Sequence, residues 1–409
     1  MAASEVEVAE LTPAQQIVEL EKKYVLQNYG RYPLALKRGK GCWLYDYDGK
    51  KYLDLISGIG VNALGHAHPH ITRVIREQAG QLIHCSNLYF HEYQGKLAEK
   101  LAKHSGLQRT FFCNSGAEAM EGAIKMMRSH GNAAGGGKIE IVALENSFHG
   151  RSTGALAITG QPKYRHDFEP LMPGARFVGA NDITALEAAV SDKTAGIVLE
   201  GIQGEGGIYP MYAEFLRKAR ELADRHNALL VFDAIQCGVG RTGHWFSHQM
   251  IAPDVQPDIM VTAKPLSCGL PLGVVMCNEK TAGTIRPGMH GTTFGGGALA
   301  CRVALEFIEL MENGLLDQVG RVGEYFREGL RDLQKKHSFI KDVRGAGLMI
   351  GVELDRPGKN YVMKGIEEGL LFNATHDTVL RFLPPYISTE KEVDRALRVL
   401  GKLFRTVKP

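Results

Sequence analysis

The 409-residue chain contains no Cys-x-x-Cys pair. Its seven cysteines (Cys42, Cys85, Cys113, Cys237, Cys268, Cys277 and Cys301) are scattered and odd in number, which argues against a disulfide framework and for reduced, mostly core thiols. No stretch approaches the roughly 20 consecutive apolar residues of a membrane span, and the first 25 residues carry no apolar run near a cleavage site. They read as neither a secretory signal nor a transit peptide, and a cytoplasmic protein is expected. Charge of one sign is also lacking. The 48 basic and 45 acidic residues give a net +3 without a block of either kind, so neither nucleic acid nor membrane is expected as the main partner and small substrates fit better. The Gly-x-x-x-x-Gly-Lys-Ser/Thr loop is missing, and with it the P-loop signature of nucleotide binding. There is no repeat, and the one biased tract, Ala133 to Gly137, reads as an exposed loop.

What is present is an ordinary globular composition. Hydrophobic residues make up 44% of the chain, enough for a large core and, at this length, for two domains. The 48 glycines are about 12% of the chain against an average near 7%, a bias expected where backbone turns tightly or approaches a ligand. Residues 14 to 28 have helical spacing at Ile17, Leu20, Tyr24 and Val25, and Tyr45 to Gly49 reads as a hairpin turn. Short apolar runs at 110–113, 139–144, 176–178, 196–200, 229–233, 258–262 and 273–277 then alternate with helical patterns. Such alternation predicts a mostly parallel sheet with helices on both faces. Beyond Gly314 the pattern changes to a helix over 319–334, strands near 340–343 and 348–353, and a last helix over 390–404, a smaller α+β unit.

Lys264 follows the apolar run 258–262, and Asp233 ends the run 229–233. A lysine at the mouth of a buried strand is partly desolvated, which lowers its amine pKa and makes it a Schiff-base nucleophile, although most lysines after strands are simply solvated. An Asp and a Lys at the carboxyl ends of separate strands converge over one rim of an α/β sheet. Pyridoxal phosphate needs that pair, a lysine for its aldehyde and a carboxylate to keep its ring nitrogen protonated. Asn114-Ser115-Gly116-Ala117 runs from a strand into a helix, which suits either a phosphate site or a plain N-cap. In Phe148-His149-Gly150-Arg151, Phe148 could stack on an aromatic ring and Arg151 could fork onto a carboxylate, or the two could be core and surface residues. Arg381, inside an apolar strand, must find an anion, either structural or substrate. Glu200 and Glu205 sit in a glycine-rich loop on the same rim, where ordinary solvated acids are the plain alternative. His66-Ala-His68-Pro-His70 has a turn's glycine and proline and no ligand-spaced Cys or carboxylate, so no metal is expected there.

Together these segments resemble the class III pyridoxal-phosphate aminotransferases, most closely the acetylornithine aminotransferases, over residues 24 to 404. The carrying stretches are YGRYPLALKRGKG (29–41), GVNALGHAHP (60–69), NSGAEAMEGAIK (114–125), FHGRS (148–152), IQGEGG (202–207), VFDAIQCGVGRTG (231–243), AKPLSCGLPLG (263–273), HGTTFGG (290–296) and VLRFLPP (379–385). The resemblance implies fold type I: a large, mostly parallel seven-stranded sheet domain that binds the cofactor (66–313), and a smaller α+β domain from both termini (1–65 joining 314–409). It implies a homodimer with shared active sites. Lys264 would hold the cofactor, Asp233 its ring nitrogen and Gln236 its ring hydroxyl, with Phe148 stacked on the ring. Ser115, Gly116 and Ala117 would hold the phosphate, with Thr293 and Thr292 from the other subunit. Tyr29, Arg151 and Arg381 would bind substrate, and Glu205 would neutralise Arg381 when no carboxylate is there.

The expected reaction is amino transfer from N-acetylornithine to 2-oxoglutarate. Ornithine, succinylornithine, succinyldiaminopimelate or 4-aminobutyrate transamination, aminomutase chemistry, and cofactor binding without turnover are the alternatives. The chain departs from the family pattern at Ala234 (usually Glu), Gly201 (Pro), Pro265 to Cys268 (a glycine-rich turn) and Gly297-Ala298 (Asn-Pro). None of these removes a group named above.

Overall fold

The computed structural model describes residues 11–135 and 137–407. Residues 1–10 of the N-terminal segment, Gly136 of the alanine-glycine tract and residues 408–409 lie outside it. The first helix, Pro13–Tyr24, opens on a Thr12/Gln15 capping box and ends a turn earlier than its spacing predicts. None of its residues is buried, so no packing holds a further turn. Three short strands follow, β1 (Leu36–Lys40), β2 (Trp43–Asp46) and β3 (Lys51–Asp54), paired antiparallel. The expected hairpin turn joins β2 to β3: Asp46 Oδ1 accepts from the backbone N–H groups of Asp48 and Lys50, and Gly49 takes the left-handed conformation at φ 82°.

The seven apolar runs become seven strands of one sheet. Four of them are β4 (Arg109–Cys113), β5 (Glu140–Leu144), β6 (Ala175–Val178) and β7 (Thr194–Leu199). A two-residue ribbon, β8 (Ile202–Gln203) with β9 (Tyr209–Pro210), intervenes before β10 (Leu229–Asp233), β11 (Ile259–Thr262) and β12 (Gly273–Cys277). Their order is β4-β12-β11-β10-β7-β5-β6, with β12 alone antiparallel to its neighbours. Successive side chains of one strand enter opposite cores, because a strand alternates its faces. Leu230 and Phe232 join Phe215, Leu216 and Leu222 of the helix Ala213–Arg225, whereas Leu229 and Val231 join Ala119, Ala123 and Met127 of the helix Gly116–Ala133. Covering both faces is what demands continuous apolar runs.

After a π-type turn at Met311–Leu315, where Gly314 sits at φ 104°, the long helix Leu316–Lys336 packs on β13 (Ile340–Ala346) and β14 (Met349–Leu354). The remaining strands are β15 (Leu370–Leu371), β16 (Asn373–Thr375) and β17 (Val379–Phe382). One sheet runs β13-β14-β17-β16, and β15 pairs in parallel with β3, which ties residues 51–54 to the C-terminal region. The last helix, Glu390–Thr406, completes this layer. No helix among the described residues is long and apolar enough to cross a membrane.

Candidate active site

The carboxyl ends of β4, β5, β7, β10 and β11 meet at one rim, joined there by the amino end of the antiparallel β12. That rim is where ligands bind in open α/β sheets. It surrounds a cavity of about 400 Å³, lined among others by Ser115, Gly116, Ala117, Phe148, His149, Arg151, Glu200, Glu205, Asp233, Gln236 and Lys264.

Each lining group is placed by local chemistry. Ser115 caps the helix Gly116–Ala133 by accepting from Glu118 N–H at 3.2 Å, and Glu118 returns to bind the Asn114 N–H at 3.1 Å and its side-chain amide at 2.9 Å. The N–H groups of Gly116 and Ala117 stay free of partners among the described residues, at the positive end of an 18-residue helix. Plain capping and anion binding therefore coexist at one turn. Lys264 has φ 29°, a conformation costly for a residue with a Cβ, and opens the short 3-10 turn Lys264–Ser267. Burial lowers the pKa of its amine; Glu205 opposes that shift and Arg381 adds to it.

Asp233 is buried, accepts from Ile235 N–H at 3.0 Å, and pairs with His149 Nδ1 at 2.7 Å. Burial alone would lower the His149 pKa, but the Asp233 hydrogen bond and charge, with Glu200, more than offset it and leave it raised. The His149 Nε2 atom is buried without a protein partner. Glu200 is no solvated loop acid. It is 5% exposed and accepts from Phe148 N–H at 3.1 Å and Gly204 N–H at 3.0 Å, and burial raises its carboxyl to about 7.

Arg381 is 1% exposed and finds its anion in Glu205. Its Nη1 also donates to Gln236 Oε1 at 3.3 Å, and its Nε to Asn373 Oδ1 at 3.1 Å. Burial pushes the Glu205 carboxyl up, but Arg381, with Lys264 and Gln236, holds it below its ordinary value. Arg151, also on the cavity, instead lies 3.9 Å from the ring centroid of Tyr164 and 5.6 Å from that of Phe148.

The structure thus brings Ser115, Gly116, Ala117, Phe148, Arg151, Glu205, Asp233, Gln236 and Lys264 to one cavity, with Arg381 paired to it through Glu205. It does not bring Tyr29, Thr292 or Thr293 into the lining. Tyr29 is exposed with Arg31 5.9 Å from its ring, and the exposed Thr293 follows Thr292, whose Oγ1 accepts from Asn114 Nδ2 of the same chain at 3.1 Å. Sequence reading missed His149, Tyr164 and the buried role of Glu200. For His149 and Glu200 the available signal was their place just past strand ends on the Asp233 rim. In the histidine-rich segment, His66 Nε2 pairs with Asp54 at 2.8 Å and His70 Nδ1 with Glu306 at 3.1 Å, while His68 Nδ1 is buried without a protein partner among the described residues.

A family model described as class-III aminotransferase matches residues 24–404. The acetylornithine aminotransferase of Methanocaldococcus jannaschii is 49% identical over 96% of this chain and 98% of its own length. Among solved structures, the ornithine aminotransferase of Toxoplasma gondii superposes with a TM-score of 0.92 at 32% identity, over 97% of this chain and 95% of that one, and carries PLP at partial occupancy in its active site. The acetylornithine aminotransferase of Elizabethkingia anophelis gives 0.85 at 30% identity, over 97% of this chain and all of that one.

Proposed function

The chain belongs to the class III aminotransferases, and from that premise we propose that it moves the terminal amino group of N-acetylornithine to 2-oxoglutarate. The products are N-acetylglutamate 5-semialdehyde and glutamate, a step of arginine synthesis, with pyridoxal phosphate as cofactor. The cavity's donor set fits that cofactor: an aromatic ring, a buried carboxylate, a desolvated lysine and a free helix N-terminus share one space. Bound there, it supplies an aldehyde that carries the amino group and a ring nitrogen that draws electrons from the substrate carbon. Lys264 would hold the aldehyde, Phe148 the ring face, Asp233 the ring nitrogen, Gln236 the ring hydroxyl, and Ser115, Gly116 and Ala117 the phosphate.

With the cofactor bound and its own amine released, Lys264 Nζ would take a proton from the substrate carbon, a role its lowered pKa suits. His149 holds Asp233 in one orientation from the side away from water. Arg151 grips the carboxylate distant from the reacting carbon, and Tyr29 adds to substrate binding. We further infer a cytoplasmic homodimer with shared sites, Thr293 and Thr292 reaching the phosphate from the partner, and a division of the chain at residues 65 and 313.

The Arg381–Glu205 pair carries this reading. Glutamate reacts at a carbon bearing a carboxylate, which can pair with Arg381. N-acetylornithine reacts at a carbon without one, and Arg381 is then an unpaired buried charge unless Glu205 stays, a cost of about 1–3 kcal/mol. Single-turnover absorbance of the loaded enzyme tests this. N-acetylornithine should react with higher kcat/KM than ornithine, succinylornithine or 4-aminobutyrate, and Glu205→Gln should slow the N-acetylornithine half more than the glutamate half, by about tenfold per 1.4 kcal/mol. Another donor reacting better would overturn the substrate assignment, and equal losses in both halves would leave Glu205 a structural loop residue.

A further inference from the structure

Arg151 differs from the cavity's acidic groups in what surrounds it. Glu205 has Arg381, Asp233 has His149, and Glu200 has two backbone donors. Among the described residues, the Arg151 side chain forms neither an ion pair nor a hydrogen bond. It rests on aromatic rings. Tyr164, on the short helix Pro162–Arg165, lies closer to it than Phe148 does, and the Tyr164 and Phe148 rings meet edge to face at 6.0 Å and 85°. The half-buried Tyr164 also takes the Lys163 ammonium at 5.1 Å.

A guanidinium attracted to a ring face keeps its N–H donors available, because they lie in its own plane. A protein carboxylate in that position would occupy those donors and compete with an incoming anion. The ring restrains the arginine without competing. It also restrains it loosely along the ring plane, and the two substrates differ in reach. The distal carboxylate of N-acetylornithine lies four bonds from its reacting carbon, whereas that of glutamate or 2-oxoglutarate lies three. A fixed ion pair would favour one length, and a sliding contact serves both.

We propose that Tyr164 is a positioning residue that sets the affinity for distal carboxylates, by holding Arg151 on its ring face with the guanidinium edge open to the cavity. This rests on the reading of Arg151 as the distal carboxylate's partner.

The test uses holoenzyme with Tyr164→Leu, Tyr164→Phe and Arg151→Met, and two readouts. Glutarate, a five-carbon dicarboxylate that cannot react, is titrated by calorimetry, and KM and kcat are measured for N-acetylornithine, 2-oxoglutarate and pentylamine, which has no carboxylate. Tyr164→Leu should weaken glutarate and raise both carboxylate KM values by about tenfold, with kcat and the pentylamine reaction little changed. Tyr164→Phe keeps the ring face and should restore wild-type values. Glutarate binding lost in Arg151→Met but kept in Tyr164→Leu overturns the role of Tyr164 and leaves Arg151's reading standing; binding kept in both overturns the two together. An equal loss with pentylamine, or a Phe variant as weak as Leu, also overturns the proposal, since the ring would then serve only the fold or act through its hydroxyl.

Discussion

Glu200 sits between two loops and has been taken from water by both. One carboxylate oxygen binds the N–H of Phe148 and the other that of Gly204, so one buried acid braces the segment carrying Phe148, His149 and Arg151 against the segment carrying Glu205. Burial raises it to about 7, whereas an unfolded chain releases the same proton near 4.3. The folded state therefore keeps a proton that the unfolded state has lost, and the stabilising contribution falls as pH rises from about 4.3 to 7. His149, also raised, loses its contribution in the same direction. Glu200→Gln has no such proton to lose. Its Tm relative to wild type should climb between pH 5 and pH 8, by the equivalent of about 1–3 kcal/mol, and a pH-independent difference in thermal unfolding would show that Glu200 is not held protonated. At this scale Lys264, Asp233 and Arg381 were legible because each breaks or ends an apolar run, which leaves a charge needing a reason. His149 and Tyr164 stayed hidden, because an imidazole or a phenol in a mixed segment is unremarkable until its neighbour is known, and those neighbours are 84 and 13 residues away.

The seven strands keep the positions that their apolar runs predict to within about two residues, since burial on both faces leaves no other composition. Their order and the reversed direction of β12 were not legible, because hydrophobicity carries no direction along a strand. The reversal matters to the site. It places the first residue of β12, Gly273, opposite Cys113, so that a Cβ there would stand 2.2 Å from the Ser115 carbonyl oxygen and 2.8 Å from Cys113 Sγ. Ser115 is the helix cap and its backbone oxygen accepts from Ala119 N–H, so that oxygen cannot move without moving the turn that carries Gly116 and Ala117. Gly273→Ala should lower Tm, by the equivalent of about 1–3 kcal/mol, and weaken pyridoxal phosphate retention about tenfold in equilibrium dialysis. Gly95, in the helix Glu92–Ser105 with open space about its Cβ position, serves as the contrast: Gly95→Ala should hold or raise Tm by the equivalent of about 1 kcal/mol. Wild-type cofactor retention in Gly273→Ala would mean that the turn tolerates displacement.

At the scale of the molecule, composition indicated only a globular protein, and the apolar surface left uncovered is where the proposed second copy would dock. Leu88 and Tyr89 are 84% and 70% exposed, and Phe90 and Phe294 are exposed beside them. Asn87 donates to the carbonyls of Thr292 and Gly295, and His84 lies 5.5 Å from the Phe294 ring, so segments 84–90 and 292–295 form one continuous surface. Exposed aromatics concentrated in this way mark an association surface. Thr293 lies on it and outside its own chain's cavity lining, so a twofold partner docked there would exchange threonines between sites. Lys264→Ala chains lack the lysine, and Thr293→Val chains lack a phosphate contact. In a mixed dimer with shared sites, one site takes both lesions and the other takes neither. Equal mixing after denaturation and refolding should then return activity well above that of either parent, roughly a quarter of wild type per chain, because half the dimers are mixed and each has one intact site. Were each threonine to serve its own chain, every lysine-bearing site would still carry valine, and verified mixed dimers would regain nothing.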